Sequence, residues 1–195
     1  MDRETLEIYN KNATKYANLE IDKTSLIAYQ DFSQALPKNG LVLDYGCGPG
    51  HFSKKLFADG FQVDAFDASE KMIEIISKEP QINSWVGDFK SFDATRKYDG
   101  IWANFSLLHA PKKDFISLIK TIFKALKPSG LFSMGLKLGS GERRDVIGRK
   151  YSYFEKQELE EILIQENFKH ISNYLGEAEG LDGKNAEFII ILSHA

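Results

Sequence analysis

The chain has 195 residues, 43% of them hydrophobic and 27% charged, which suits one globular domain with a sizeable core. Its net charge of -3 disfavours a nucleic-acid partner, because phosphate binding needs clustered Lys and Arg. We find no apolar run near the roughly 20 residues that span a bilayer, and no signal peptide. The lone cysteine cannot form an internal disulfide. We therefore expect a cytoplasmic protein without a membrane or nucleic-acid partner.

Residues 1–36 are polar with spaced apolar positions, and this pattern predicts two helices ahead of the first strand. Pro37 to Gly40 is a break between those helices and the first strand. We expect residues 1–36 to form a helical cover and residues 37–195 to form an α/β core, within one domain spanning 1–195.

The stretch Leu-Val-Leu-Asp-Tyr-Gly-Cys-Gly-Pro-Gly at 41–50 joins a short apolar run directly to three glycines. It predicts a buried strand, a tight loop and a helix that begins at His51. Glycines tolerate positive φ and let a ligand approach where a Cβ would collide, so the loop forms a nucleotide-sized cradle at a helix N-terminus. The spacing G-x-G-x-G departs from the dinucleotide fingerprint G-x-G-x-x-G.

Downstream, strands and helices alternate, which predicts a parallel sheet covered on both faces. Ser69 fits as an N-cap, and 127–130 reads as a turn. After a last helix, two strand-like segments occur with no helix between them, so they should pair antiparallel. We predict a doubly wound, mostly parallel sheet of seven strands closed by a C-terminal antiparallel hairpin, with strands at 41–45, 61–66, 82–86, 98–104, 131–138, 168–175 and 186–192 and helices at 70–78, 112–126 and 155–166.

Together, the glycine loop, the acidic residue before it and the order of the later signals resemble the class I S-adenosylmethionine-dependent methyltransferases, in their small-molecule branch. The resemblance implies S-adenosylmethionine as the cofactor. It assigns Asp44 to the loop and the methionine amine, Asp67 to the ribose hydroxyls, and Asp88 to the adenine amino group. The implied cofactor site comprises Tyr16, Asp44, Tyr45, Gly46, Cys47, Gly48, Gly50, Asp67, Ala68, Met72, Gly87, Asp88, Phe89, Asn104 and Phe105.

Several of these residues also have a plainer interpretation. Asp67 could help to cap the next helix, since Asp is common at helix starts. Asp88 could be an ordinary carboxylate in a Gly-Asp turn. We read Cys47 as a small residue that fits the loop, because no base partner is visible for a nucleophile.

On the acceptor side, the Asn-Pro-Pro-Tyr pattern of enzymes that methylate amino groups of adenine or glutamine is absent at 104–107. His109 is a candidate base, because histidine titrates near neutrality, although a loop histidine can equally pack or hydrogen-bond. Residues 139–153 predict a mobile loop whose arginines meet an anionic substrate or stay solvated. Tyr9 resembles the aromatic of a helix folded over the cofactor, or packs on the sheet. The substrate candidates are Tyr9, His109, Arg143, Arg144 and Arg149.

We therefore predict methyl transfer to an oxygen, nitrogen or sulfur atom of a small-molecule acceptor by direct in-line displacement. No metal is expected, since the histidines and the cysteine form no ligand cluster. Two alternatives stay open. A nicotinamide-dependent oxidoreductase would have an all-parallel sheet, and a non-catalytic S-adenosylmethionine-binding subunit would have a closed or partner-completed substrate pocket. The sequence leaves the oligomeric state open between monomer and homodimer.

Overall fold

The computed structural model describes residues 1–195, apart from the side chains of residues 170 and 171. Its helices are α1 (Arg3–Ala17), α2 (Lys23–Ala35), α3 (His51–Ala58), α4 (Glu70–Ile76), α5 (Lys112–Ala125) and α6 (Lys156–Gln165), with a 3₁₀ turn at Leu107–His109. Its strands are β1 (Leu41–Tyr45), β2 (Gln62–Asp67), β3 (Asn83–Val86), β4 (Tyr98–Asn104), β5 (Leu126–Lys137), β6 (Glu142–Arg144), β7 (Lys150–Ser152), β8 (Lys169–Glu179) and β9 (Asn185–His194).

The main sheet has seven strands in the order β3-β2-β1-β4-β5-β9-β8. Strands β1 to β5 are parallel neighbours, and β9 runs antiparallel to both β5 and β8. The predicted mostly parallel sheet with a C-terminal antiparallel hairpin is therefore confirmed. The all-parallel sheet of the oxidoreductase alternative is not what the chain forms.

Apolar side chains alternate between the two faces of the sheet and create two cores. Leu43 and Ile101 belong to the core beneath α5 and α6, whereas Val42 and Trp102 belong to the core beneath α2 and α3. Central strands buried on both faces must be apolar at successive positions, which explains the unbroken run at the start of β1.

Capping residues set where several helices begin. Asp22 and Ser69 accept hydrogen bonds from the backbone N–H groups of Ser25 and Met72, which otherwise lack partners in the first turn. Ser69 is thus the cap that the sequence predicted. Glu155 and Glu158 form a capping box at the start of α6.

Two segments differ from the prediction. Residues 139–153 contain the antiparallel hairpin β6–β7 rather than an open loop, and the paired strands are only three residues long, too short for an alternation signal. β5 begins at Leu126, so the predicted turn at 127–130 lies within its bounds. Ser129 there has φ 61°, and the register with β4 shifts between Tyr98 and Gly100.

Gly50 and Gly60 offer a matched test of packing beside the glycine loop. Both have positive φ, 85° and 91°, but a Cβ on Gly50 would lie 2.0 Å from Ile76 Cδ1, whereas a Cβ on Gly60 would meet nothing within 4 Å. Gly60→Ala should cost about 1–2 kcal/mol from backbone strain alone. Gly50→Ala should cost a further ~1–3 kcal/mol from overpacking against a buried side chain.

Urea unfolding of the two variants measures this difference in the free energy of unfolding. Equal losses of unfolding free energy in the two variants would show that the side chains around Ile76 rearrange without cost. That result would contradict the close packing between Gly50 and Ile76.

Candidate active site

A cleft runs along the edge of the sheet where the parallel strands end, which is the ligand-binding edge of doubly wound folds. Its glycine half lies at the ends of β1, β2 and β3 and is lined by Asp44, Gly48, Asp67 and Asp88. Its basic half lies at the ends of β4 and β5 and is lined by Tyr9, His109, Lys137, Arg149 and Tyr151. Helix α1 contributes to both halves, with Tyr16 in the first and Tyr9 in the second.

The glycine loop has the backbone geometry that its sequence predicts. Gly46, Gly48 and Gly50 have φ values of 76°, 53° and 85°, and the N–H groups of Gly46 and Cys47 donate to Phe66 O. A Cβ on Gly46 would lie 2.4 Å from Ser106 Cβ, so that glycine is required by protein packing. A Cβ on Gly48 would meet nothing closer than the Tyr16 ring at 3.6 Å. Gly48 is therefore the position where the backbone itself faces the cleft.

Asp67 joins the loop to the second strand. Its Oδ2 accepts from Gly48 N at 2.9 Å and its Oδ1 accepts from Ser69 N at 2.8 Å. Burial raises the pKa of this carboxyl, and the backbone hydrogen bonds oppose that shift. Ser69 is the N-cap of α4, and Asp67 supports that helix start by accepting from the Ser69 N–H, as the plainer interpretation expects. A carboxylate has about four lone-pair sites, which leaves room for two ribose hydroxyls.

Asp44 is buried beneath the loop and accepts a 2.5 Å hydrogen bond from Ser53 Oγ. Burial raises its pKa to about 7, and the nearby Asp67 contributes in the same direction. No Lys, Arg or His pairs with either carboxylate among the side chains that the structure describes. The glycine half thus concentrates negative charge and fits a cationic ligand such as the ammonium and sulfonium groups of S-adenosylmethionine.

Other predicted cofactor residues fall into two groups. Tyr16, Gly46, Cys47, Ala68, Met72, Gly87, Asp88, Phe89, Asn104 and Phe105 line the cleft, whereas Tyr45 and Gly50 do not. Tyr45 lies below the surface and stacks on Phe89 at 5.4 Å. Asp88 is exposed, and its Oδ1 accepts from Lys90 N and Ser91 N, which closes its turn and leaves Oδ2 for a ligand.

Burial raises the pKa of the Cys47 thiol, which agrees with a packing role.

His109 lies in the basic half of the cleft, but it does not titrate near neutrality. Its Nδ1 lies 2.8 Å from Lys150 O, which can only accept, so Nδ1 carries the proton. Its Nε2 then accepts from the Tyr9 hydroxyl at 2.7 Å. Burial lowers the pKa of His109 to about 3, helped by the neighbouring Arg149. The expectation of neutral titration was wrong because it assumed an exposed loop histidine.

The three arginines predicted to contact the substrate lie in different environments. Arg149 is buried in the cleft wall, donates to the Tyr9 hydroxyl at 3.2 Å and pairs with Asp145 at 2.8 Å. Arg144 instead pairs with Asp2 and Glu4 on the outer side of α1. Arg143 stacks over the Tyr153 ring and is exposed. Arg143 and Arg144 lie on β6, and neither lines the cleft.

Sequence reasoning missed several cleft residues. Lys137 stands at the end of β5 and Tyr151 on β7, while Leu181 and Phe188 come from the C-terminal hairpin. Lys137 could have been found by the rule that ligands gather at strand ends, since β5 was predicted to end at 138. The others depend on where the β6–β7 hairpin and the β8–β9 hairpin lie beside the cleft, and that carries no local signal.

Comparison with known proteins agrees with this geometry. A methyltransferase domain model matches residues 19–173. The putative methyltransferase YqeM of Bacillus subtilis is 30% identical over 106 residues, covering 50% of this chain but 42% of the relative. An uncharacterized methyltransferase of Staphylococcus carnosus is 25% identical over 178 residues, covering 87% of this chain and 86% of the relative. The crystal structure of Burkholderia thailandensis 1,6-didemethyltoxoflavin-N1-methyltransferase aligns with a TM-score of 0.79 at 18% identity, covering 98% of this chain and 87% of that one.

The chain therefore belongs to the methyltransferase domain family. The resemblance to class I S-adenosylmethionine-dependent methyltransferases is confirmed, and with it the enzyme class and the cofactor. The helices of the described structure are all too short or too polar to cross a bilayer. Within the same described residues, no group of three His, Cys, Asp or Glu side chains could hold a metal ion.

Asp44→Asn should change the pH dependence of stability in a definite direction. The native pKa of Asp44, about 7, lies above the ordinary value of 3.8, so this group favours folding when protonated. That contribution is lost as pH rises from about 4 through 7, at about 1.4 kcal/mol per pH unit. The neutral variant avoids the loss and should gain stability relative to the parent across this interval, while its affinity for S-adenosylmethionine falls.

Unfolding by urea at several pH values measures the difference. Asp93→Asn is the control, because hydrogen bonds from Thr95 lower the pKa of that exposed carboxyl and its effect has the opposite sign. Parallel pH profiles for parent and Asp44→Asn would contradict the raised pKa.

Proposed function

We propose that this enzyme moves the methyl group of S-adenosylmethionine to a nucleophilic oxygen, nitrogen or sulfur atom of a small molecule by in-line displacement. The observation that carries the proposal is the division of one cleft into an acidic glycine half and a basic half beside it. A cationic cofactor fits the first half, which leaves the second half as the region where an acceptor would meet the methyl group.

The first half would hold the cofactor through groups already in place. Asp67 would accept the ribose hydroxyls, Asp44 would face the methionine amine, and Gly48 would allow the backbone to approach the ligand. S-adenosylmethionine, when bound, supplies a methyl group on an activated sulfonium leaving group. The chain then has mainly to position the nucleophile and exclude water, which is the larger part of catalysis in such a displacement.

The size of the acceptor is suggested by the segments that cover the basic half. Arg149, between β6 and β7, reaches Asp182 in the β8–β9 turn at 3.7 Å, and both side chains are almost fully buried. Lys15 of α1 donates to Leu181 O in the same turn at 3.5 Å. These contacts draw three segments together over the acceptor side, which favours a small molecule over a polymer. A pocket that the chain lines itself also favours an enzyme over a non-catalytic subunit.

The neutral Tyr9 hydroxyl, whose pKa is raised by burial, would orient the acceptor by a hydrogen bond, and His109 would not take a proton from it directly. His109 Nε2 is occupied by the Tyr9 hydroxyl, so the histidine acts by positioning Tyr9. Arg149, which also donates to that hydroxyl, holds the tyrosine from the other side. This arrangement gives Tyr9 a fixed orientation toward a nucleophile bound in the basic half.

Transfer itself is tested with methyl-labelled S-adenosylmethionine and separate pools of metabolites and macromolecules. We expect label in the low-molecular-weight fraction. Label confined to protein or nucleic acid would reject a small-molecule acceptor, and cofactor binding without any transfer would favour the non-catalytic subunit.

Asp67→Asn should weaken S-adenosylmethionine binding by roughly 10- to 100-fold, because the ribose hydroxyls lose a charged acceptor worth about 1.5–3 kcal/mol. The amide oxygen can keep one of the two backbone hydrogen bonds, so the fold should survive. Isothermal titration calorimetry measures the affinity, with exposed Asp93→Asn as the matched control. An unchanged affinity in a folded Asp67→Asn protein would remove Asp67 from the site.

His109→Gln should raise the Michaelis constant of the acceptor severalfold and leave the pH profile of turnover near neutrality in place, because the native pKa of His109, about 3, lies outside that range. Tyr9→Phe should act through the same hydrogen bond. The effects of the two substitutions should therefore combine less than additively in a double-mutant cycle. A loss of the neutral limb of the pH profile in His109→Gln would instead make His109 the base.

A further inference from the structure

We propose that Lys137 binds a negatively charged group of the methyl acceptor, so that the enzyme's substrates are small carboxylates or similar anions. The inference rests on the proposed function and narrows it to a substrate class. Its starting observation is the place of Lys137 at the end of β5, beside the end of β4, where the side chain lines the basic half of the cleft.

The Lys137 ammonium forms no ion pair with any side chain that the structure describes. Among the side chains that the structure describes, no carboxylate oxygen lies within 4 Å of its Nζ, and its nearest aromatic neighbour is the Tyr151 ring, 4.7 Å from Nζ to the centroid. Lys127, at the opposite end of the same strand, shows the ordinary situation, with Asp99 at 2.8 Å. A partly buried ammonium is costly unless it is paired, so the site favours an incoming negative charge.

The two neighbouring acids lie closer to Arg149 than to Lys137. Asp145 gives Oδ2 to Arg149 and Oδ1 to the backbone N–H groups of Ile147 and Arg149. Asp182 is nearest to Arg149, at 3.7 Å. These contacts compensate Arg149, and Lys137 is left as the cation that a ligand can reach.

Charges on the surrounding segments act on Lys137 in both directions. Burial lowers the pKa of its ammonium; Asp182 and Asp145 oppose the shift, whereas Arg149 and Arg143 add to it. The environment as a whole therefore disfavours the charged lysine in the ligand-free protein. A bound carboxylate would reverse that balance through a charge-assisted hydrogen bond.

The surroundings of Lys137 describe the rest of the ligand. Phe105 and Phe188 pack edge to face at 5.0 Å and line the cleft together with Leu181 and Tyr151. Such apolar walls suit a flat or hydrophobic body. The ligand class is thus a small apolar molecule with one anionic end, its nucleophile directed toward the glycine half.

The test uses matched pairs of probes that differ in charge and little in shape: benzoate and benzamide, phenylacetate and phenylacetamide, indole-3-acetate and its amide. Calorimetry first establishes that S-adenosylhomocysteine binds, and the probes are then titrated into the saturated protein. We expect carboxylates to bind roughly tenfold more tightly than carboxamides, on the scale of one charge-assisted hydrogen bond.

Lys137→Met should abolish this preference, Lys137→Arg should retain it, and Lys127→Met is the control that should leave it unchanged. Lys137→Gln replaces the methionine variant if that protein fails to fold. As a second measurement, the pKa of isotopically dimethylated Lys137, measured by NMR, should rise when benzoate is added, which a purely structural lysine would not show.

Three results would overturn the inference: equal affinities within every pair, no saturable binding of any carboxylate, or a preference that persists in Lys137→Met and Lys137→Gln. The proposed function fails separately, if S-adenosylhomocysteine does not bind or no methyl group is transferred. Binding of the cofactor product without a preference for anions would therefore reject the role of Lys137 alone.

Discussion

Burial of unpaired charge governs the organisation of this protein's cleft. Asp44 and Asp67 lie together under the glycine loop and are held by a hydroxyl and by backbone N–H groups rather than by a cation. Because burial and the neighbouring Asp67 both disfavour its ionisation, the pKa of Asp44 rises to about 7. The free protein thus bears a cost that a cationic ligand would relieve, which is the general way in which binding sites trade stability for affinity.

In the basic half the buried charges are positive, and their burial is costly for the same reason. Arg149 pairs with Asp145 and is part of the wall, while Lys137 has no carboxylate oxygen within 4 Å among the described side chains. Helix α1 connects the two regions, since Tyr16 lies over Gly48 and Tyr9 meets His109 and Arg149. One helix therefore lines both halves of the cleft, so α1 is part of the candidate site.

The sequence was informative wherever function depends on local backbone geometry. The glycine loop, the cap at Ser69 and the carboxylate at the end of β2 each carry a signal within a few residues, and the antiparallel hairpin was predictable from the absence of a helix between two strands. The burial of His109 carried no such signal. It results from α1 and β7, 100 and 41 residues away in the chain, closing over its two ring nitrogens.

The same distinction explains why the glycine half was easier to predict than the basic half. The proposed cofactor contacts come from the ends of β1 and β2, where the signals lie within a few successive residues. The basic half combines the ends of β4 and β5 with three separate segments: α1, the β6–β7 hairpin and the β8–β9 turn. Arg144 and Arg149 lie in one hairpin, yet one faces Asp2 outside and the other faces Tyr9 inside. The sequence therefore indicated only that residues 139–153 are basic. The pairing of β6 with β7 decided which of these basic side chains faces the cleft.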